Sequence, residues 1–114
     1  MGIVYYVRYL EYFEEARTEL LRSIGLSVAE IEKSGIFLPV LSCQCEYKKS
    51  AKFDDELIVV TKIKEAPRST LRIEYEIYNS NNLLLVNGNT IHSFMNKFGK
   101  AVRPSKEIIN KIRG

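Results

Sequence analysis

Between Tyr9 and Ile24 the apolar residues Leu10, Phe13, Ala16, Leu20, Leu21 and Ile24 recur at three- and four-residue steps, with Glu11, Glu15, Arg17 and Arg22 between them. This spacing predicts one amphipathic helix, and Gly25 supplies its stop. Ser27-Val28-Ala29-Glu30 reads as a capping box for a second, shorter helix that ends near Ser34-Gly35. The period then changes. Leu41, Cys43, Cys45 and Tyr47 alternate with Ser42, Gln44 and Glu46, which predicts a strand with one apolar face. Three more strands are expected at about 56–65, 70–78 and 83–96, joined by turns rich in Pro, Ser and Asn. Connections this short make antiparallel neighbours, and a tight turn at Ala66-Pro67-Arg68-Ser69 sets Lys62 opposite Glu74. Ser105 is placed to cap a last short helix carrying Ile108, Ile109 and Ile112 on one face. A four-stranded sheet with one apolar face must be covered, and only the first helix is large enough to do it. The predicted class is therefore α+β.

A chain of 114 residues with 46% hydrophobic content suits a single domain over residues 1–114, with a core that needs no metal or disulfide to hold it. Cys43 and Cys45 lie two apart on a strand, so their side chains share a face and a bridge between them would be strained. Free thiols in a reducing compartment are expected. Only His92 could join them around a metal, so neither metal nor organic cofactor is expected. The longest unbroken apolar run, Ile3 to Val7, is far short of a membrane span or a signal-peptide core, which predicts a cytoplasmic protein with no membrane partner. The Met-Gly start lacks the Ser or Thr that myristoylation needs where Tyr6 stands. Seventeen basic and 14 acidic residues give a net charge of +3, spread along the chain rather than clustered with aromatic residues, which argues against a nucleic-acid partner.

Three blocks in order carry a family resemblance. The segment GIVYYVRYLEYFEEARTELLR resembles the first helix and preceding loop of hotdog-fold acyl-CoA thioesterases, including the hydroxybenzoyl-CoA thioesterase group and the Tol-Pal-associated relatives. CEYKKSAKFDDELIV is similar to their strand, loop and Asp-containing turn, and NGNTIHSFMNKFGKAVRPSKEI to their last strand and its exit into the terminal helix. The resemblance implies an antiparallel sheet wrapped around a long central helix. It also implies subunits joined edge to edge as a homodimer or homotetramer, with sites where they meet. The implied activity is hydrolysis of an acyl- or aryl-CoA thioester to free acid and CoA. In the family the catalytic Asp lies three residues before a Gly that corresponds to Gly2, so here that Asp and its strand fall ahead of Met1. The expectation is a longer natural protein that supplies both. The alternative is a hotdog without its carboxylate that binds acyl thioesters or serves as an assembly module.

A thioester carbonyl under attack needs donors for its developing negative charge. The opening of the first helix offers the backbone N–H groups around Tyr5, Tyr6 and Val7, beside Gly2. Tyr5 and Tyr6 equally suit simple packing of the helix entry. Tyr6 stands where many relatives carry His, which weakens mechanisms that rely on that His. Glu14 is the best remaining carboxylate by position, although Glu14 and Arg17, three apart on one helix face, also suit an ordinary ion pair. Asp54 and Asp55 read as turn residues, and His92 as a buried or interface histidine with its tautomer fixed by a neighbour. For the CoA phosphates the candidates are Arg68 and Ser69, which correspond to the basic turn of hydroxybenzoyl-CoA thioesterases, and Lys48 in the run Lys48-Lys49-Ser50-Ala51-Lys52. A dehydratase-like hotdog fits poorly, because the first helix carries no His.

Overall fold

The amphipathic and alternating segments form the elements their periods predict. A computed structural model describes residues 6–49 and 56–113. In chain order these form α1 (Tyr6–Ser23), α2 (Val28–Lys33), β1 (Val40–Tyr47), β2 (Leu57–Lys62), β3 (Thr70–Asn79), β4 (Leu84–Ser93) and α3 (Lys106–Arg113). The strands make one antiparallel sheet in the order β1-β4-β3-β2. This α+β arrangement matches the predicted class. The helix expected to be long and central is α1, described over 18 residues from Tyr6 to Ser23. Asp54 and Asp55 lie outside the described residues.

Local signals account for most of the element ends. Gly25 and Gly35 take φ of 82° and 83°, a left-handed conformation that closes α1 and α2 and that L side chains rarely adopt. Ser27 caps α2 by accepting from the Glu30 N–H at 3.2 Å, and Ser105 caps α3 by accepting from the Ile108 N–H at 3.2 Å. The last strand is shorter than its apolar pattern. β4 stops at Ser93, and the chain beyond it makes isolated bridges, Met95 pairing with both Phe37 and Ala101.

Register assigns the two faces of the sheet. Leu71, Ile73, Tyr75 and Ile77 of β3 alternate as fully buried residues and stand opposite His92, Thr90, Gly88 and Val86 of β4. α1 lies over this face, stacking Phe13 on Tyr75 with ring centroids 4.3 Å apart and planes 12° off parallel. The other face is polar. Lys62 is opposite Glu74 as the hairpin predicts, yet the ion pairs run diagonally, Lys62 to Glu76 at 3.0 Å and Lys64 to Glu74 at 3.5 Å.

β1 departs from its expected role. Its alternation predicts one apolar face, and of that face Cys45 packs against the core and Tyr47 meets Tyr9, but Leu41 is 55% and Tyr47 49% exposed. The cause is position in the sheet. β1 is an edge strand, while α1 packs along β2 and sets Phe13 over Tyr75 of β3 and Gly88 of β4, meeting β1 where Tyr9 lies 5.6 Å from Tyr47.

Gly88 lets the helix come this close. A Cβ at that position would stand 2.9 Å from Phe13 Cε2 and closer still to the backbone carbonyl oxygen of Gln44, which a paired strand cannot move aside. Gly88→Ala is expected to lower unfolding stability by about 1–3 kcal/mol through overpacking. Urea denaturation checks this, and an unchanged midpoint would mean that α1 does not sit so tightly.

Candidate active site

On the helix-covered side of the sheet a cavity of about 640 Å³ opens between the second half of α1, α2, the segment leading into β1 and the loop after β4. Its apolar lining includes Leu21, Ile31, Ile36, Leu38 and Ile73, and its polar lining includes Glu14, Arg17 and His92. This is the size and character of a small-molecule pocket, mostly apolar with a few polar groups that fix orientation.

A chain of buried hydrogen bonds runs along the cavity, and each of its directions can be deduced. His92 is 1% exposed, and its Nδ1 lies 3.1 Å from the Leu38 carbonyl oxygen. A carbonyl only accepts, so Nδ1 carries the proton. Burial is the main cause holding the His92 pKa below its usual value, and the Arg17 charge acts the same way, against the raising effect of the Leu38 bond. The neutral ring then has a lone pair on Nε2, to which the Thr90 hydroxyl donates at 2.8 Å. With its proton so used, Thr90 Oγ1 accepts from the Tyr75 hydroxyl at 2.7 Å. Tyr75 Oη in turn accepts from Arg17 Nη1 at 3.3 Å.

The expected Glu14–Arg17 ion pair does not form among the described residues. Arg17 turns to the Tyr75 hydroxyl over the core, while Glu14 stays exposed. On the same helix Arg8 pairs with Glu11 at 2.8 Å, and Arg22 pairs with Glu19. Arg17 is thus a half-buried cation with no carboxylate partner among the described residues.

The other expected site residues fall in separate places. Gly2 and Tyr5 lie outside the described residues, while Tyr6 and Val7 open α1. The first turn of α1, as described from Tyr6, contains no acidic residue. Glu14 stands eight residues further along the helix, which at the usual rise is about 12 Å from Tyr6 along the axis. Within one subunit Glu14 and the helix opening therefore cannot serve the same carbonyl. Arg68 lies in the predicted turn beside Ser69, its N–H bonded to the Thr70 carbonyl at 3.3 Å. Next to it is an open depression of about 630 Å³ that Arg72 also lines, and neither arginine makes an ion pair among the described residues. Lys48 is engaged with Glu46 at 2.7 Å. Arg72 and Tyr75 escaped the sequence reading, and Thr90 entered it only as the neighbour of His92 in a Thr-x-His block. A hydroxyl inside an otherwise apolar alternation, as at Tyr75 and Thr90, was the available signal.

Comparison with known proteins gives this geometry a family. The Thioesterase superfamily profile matches residues 1–86. A relative from Aquifex aeolicus, which carries a provisional esterase name, is 35% identical over 98% of this chain and 86% of its own length. The acyl-CoA thioesterase YbgC of Haemophilus influenzae is 35% identical over 67% of this chain and 57% of its own length. The crystal structure of a DHNA-CoA thioesterase from Staphylococcus aureus superposes with a TM-score of 0.87 at 29% identity, covering 99% of this chain and 80% of that one. The chain belongs to the Thioesterase superfamily.

His92 ties stability to pH. Its unfolded pKa is about 6.5 and its folded pKa is lower, so just below pH 6.5 the unfolded chain binds more protons. The contribution of neutral His92 is complete above about pH 6.5 and is lost as pH falls towards the folded value. Protonation would also place a hydrogen on Nε2, facing the proton that Thr90 donates. Wild-type stability is expected to drop between about pH 6.5 and 5, with a shallower drop in His92→Gln. Chemical denaturation across that range checks it, and parallel curves would remove His92 as the cause.

Proposed function

We propose that this protein is an acyl-CoA thioesterase, hydrolysing an acyl- or aryl-CoA thioester to the free acid and CoA. Water adds to the thioester carbonyl, the C–S bond breaks, the thiolate leaves and takes up a proton, and the carboxylic acid is released. The supporting observation is membership of a thioesterase superfamily together with similarity to a named acyl-CoA thioesterase, in a chain whose α1 carries no acid in its first described turn. Backbone N–H groups around Tyr5, Tyr6 and Val7, beside Gly2, hold the carbonyl oxygen and stabilise its charge at the positive end of the helix.

Glu14 faces the acyl group on this reading, since it lines the cavity and lies about 12 Å along the axis from the helix opening of its own subunit. A catalytic Glu14 would have to act on a thioester held by the partner subunit. Homodimer formation, edge to edge, is supported by β1, an edge strand whose side chains are largely exposed. Arg68 and Ser69, with Arg72 beside them, receive the nucleotide phosphates of CoA, whereas Lys48, bonded to Leu85 at the opposite end of β4 from the Arg68 turn, cannot share them within one subunit and stays with Glu46. Release of a thiol from acyl-CoA substrates tests the activity, and equal inactivity on every acyl, aryl and chain-length class would overturn it.

Arg68→Ala separates the phosphate contact from the rest. A solvent-exposed charged contact contributes about 1 kcal/mol, so KM for CoA thioesters is expected to rise roughly fivefold. The corresponding pantetheine thioesters lack the nucleotide and give the comparison. If Arg68 reads the phosphates, the advantage of CoA over pantetheine esters shrinks in the variant. An unchanged ratio would assign the nucleotide to other residues.

A further inference from the structure

We infer that the cavity beside α1 takes an acyl group ending in a carboxylate, and that Arg17 is the residue that selects it. This inference rests on the thioesterase reading and names its substrate class as monothioesters of dicarboxylic acids. Arg17 carries the argument. It is half-buried in the cavity wall, it makes no ion pair among the described residues, and its spacing from Glu14 would have allowed one. A guanidinium offers five N–H donors, of which the hydrogen bond to Tyr75 Oη uses one.

That bond holds the cation in place. Because the His92 Nδ1 proton goes to Leu38 O, the Thr90 proton goes to His92 and the Tyr75 proton goes to Thr90, Tyr75 Oη is left only to accept. It cannot donate to a ligand. Arg17 therefore remains the donor at this end of the cavity, fixed before a ligand arrives, and a planar guanidinium matches a carboxylate through two parallel hydrogen bonds.

The remaining walls suit methylenes. Leu21, Ile31, Ile36 and Ile73 make the cavity around Arg17 apolar, while the other charged lining residues, Glu14, Glu32 and Lys97, are all exposed. A plain alkyl chain would fill the cavity but leave the half-buried guanidinium without an anion. A carboxylate supplies that anion and is itself compensated for leaving water. The Arg17 head group turns back to Tyr75, whose ring lies under Phe13, seven residues or about 10 Å along the axis from Tyr6, so a thioester at the helix opening and a carboxylate at Arg17 require a chain of about eight carbons between them.

The experiment measures kcat/KM for adipyl-, pimelyl- and suberyl-CoA against hexanoyl-, heptanoyl- and octanoyl-CoA, matched by carbon number and corrected for uncatalysed hydrolysis. The expected result is a tenfold or greater preference for the dicarboxylic ester at one or more lengths. Arg17→Met is expected to reverse that preference, and Arg17→Lys to keep part of it. Binding of monomethyl suberate, with one free carboxylate, and of methyl octanoate, with none, followed by the methyl signals of Ile31, Ile36 and Ile73, reads the same site without catalysis and covers the case in which Arg17→Met does not fold. If alkanoyl esters are hydrolysed as well as their dicarboxylic partners at every length, the inference is wrong while the thioesterase reading stands. If no ester is hydrolysed but monomethyl suberate binds more tightly than methyl octanoate, the thioesterase reading fails and the ligand class holds. Methyl octanoate binding as tightly as monomethyl suberate overturns the assignment of Arg17.

Discussion

The contact on which the rest of the structure depends is the stacking of Phe13 on Tyr75 over Gly88. The rings lie 4.3 Å apart and nearly parallel, and the bare backbone at Gly88 is what lets α1 come down to that distance. Once the middle of α1 is pinned there, its rise per residue determines where everything else on it falls. Tyr9 reaches the end of β1 at Tyr47, Arg17 reaches the Tyr75 hydroxyl, and Leu21 reaches the cavity wall. A larger residue at 88 would lift the helix and weaken all three contacts together.

The same sheet serves two solvents. Its helix side buries Leu71, Ile73, Tyr75 and Ile77 completely, and its other side carries the diagonal Lys62–Glu76 and Lys64–Glu74 pairs. Those surface pairs contribute little to stability, so the helix side holds the fold together. β1 belongs fully to neither environment. Its pattern is that of a half-buried strand, yet this chain alone leaves Val40, Leu41 and Tyr47 about half exposed.

Much of this was legible because period and punctuation are local. The three-and-four spacing from Leu10 to Ile24 gave α1, and Gly25, Ser27 and Ser105 marked ends that the structure confirms with positive φ or capping bonds. The short turn at 66–69 gave the Lys62–Glu74 register. What escaped was tertiary. The exposure of β1 depends on sheet order, which alternation does not encode. The Glu14–Arg17 pair was plausible from spacing alone, but a hydroxyl fifty-eight positions away at Tyr75 competes for the guanidinium, and no local rule reveals it. Among the site residues, Arg68 and Ser69 came from the resemblance, whereas the Arg17 cavity needed coordinates, since its walls come from α1, α2, β3 and two loops.

Tyr75 joins these two levels of organisation. Its ring is the platform for Phe13 and so for the seating of α1, and its hydroxyl is the link between Arg17 and the buried Thr90–His92 pair. A phenylalanine in its place would keep the stacking but leave Thr90 Oγ1 without its donor and Arg17 without its anchor. An apolar core would tolerate that exchange on volume alone. The presence of a hydroxyl there, satisfied at both ends and inside a face that is otherwise Leu and Ile, makes sense if the position of the Arg17 head group matters more than the simplicity of the core. The packing that stabilises the fold and the polar chain that aims the one α1 cation without an ion pair among the described residues therefore meet in a single side chain.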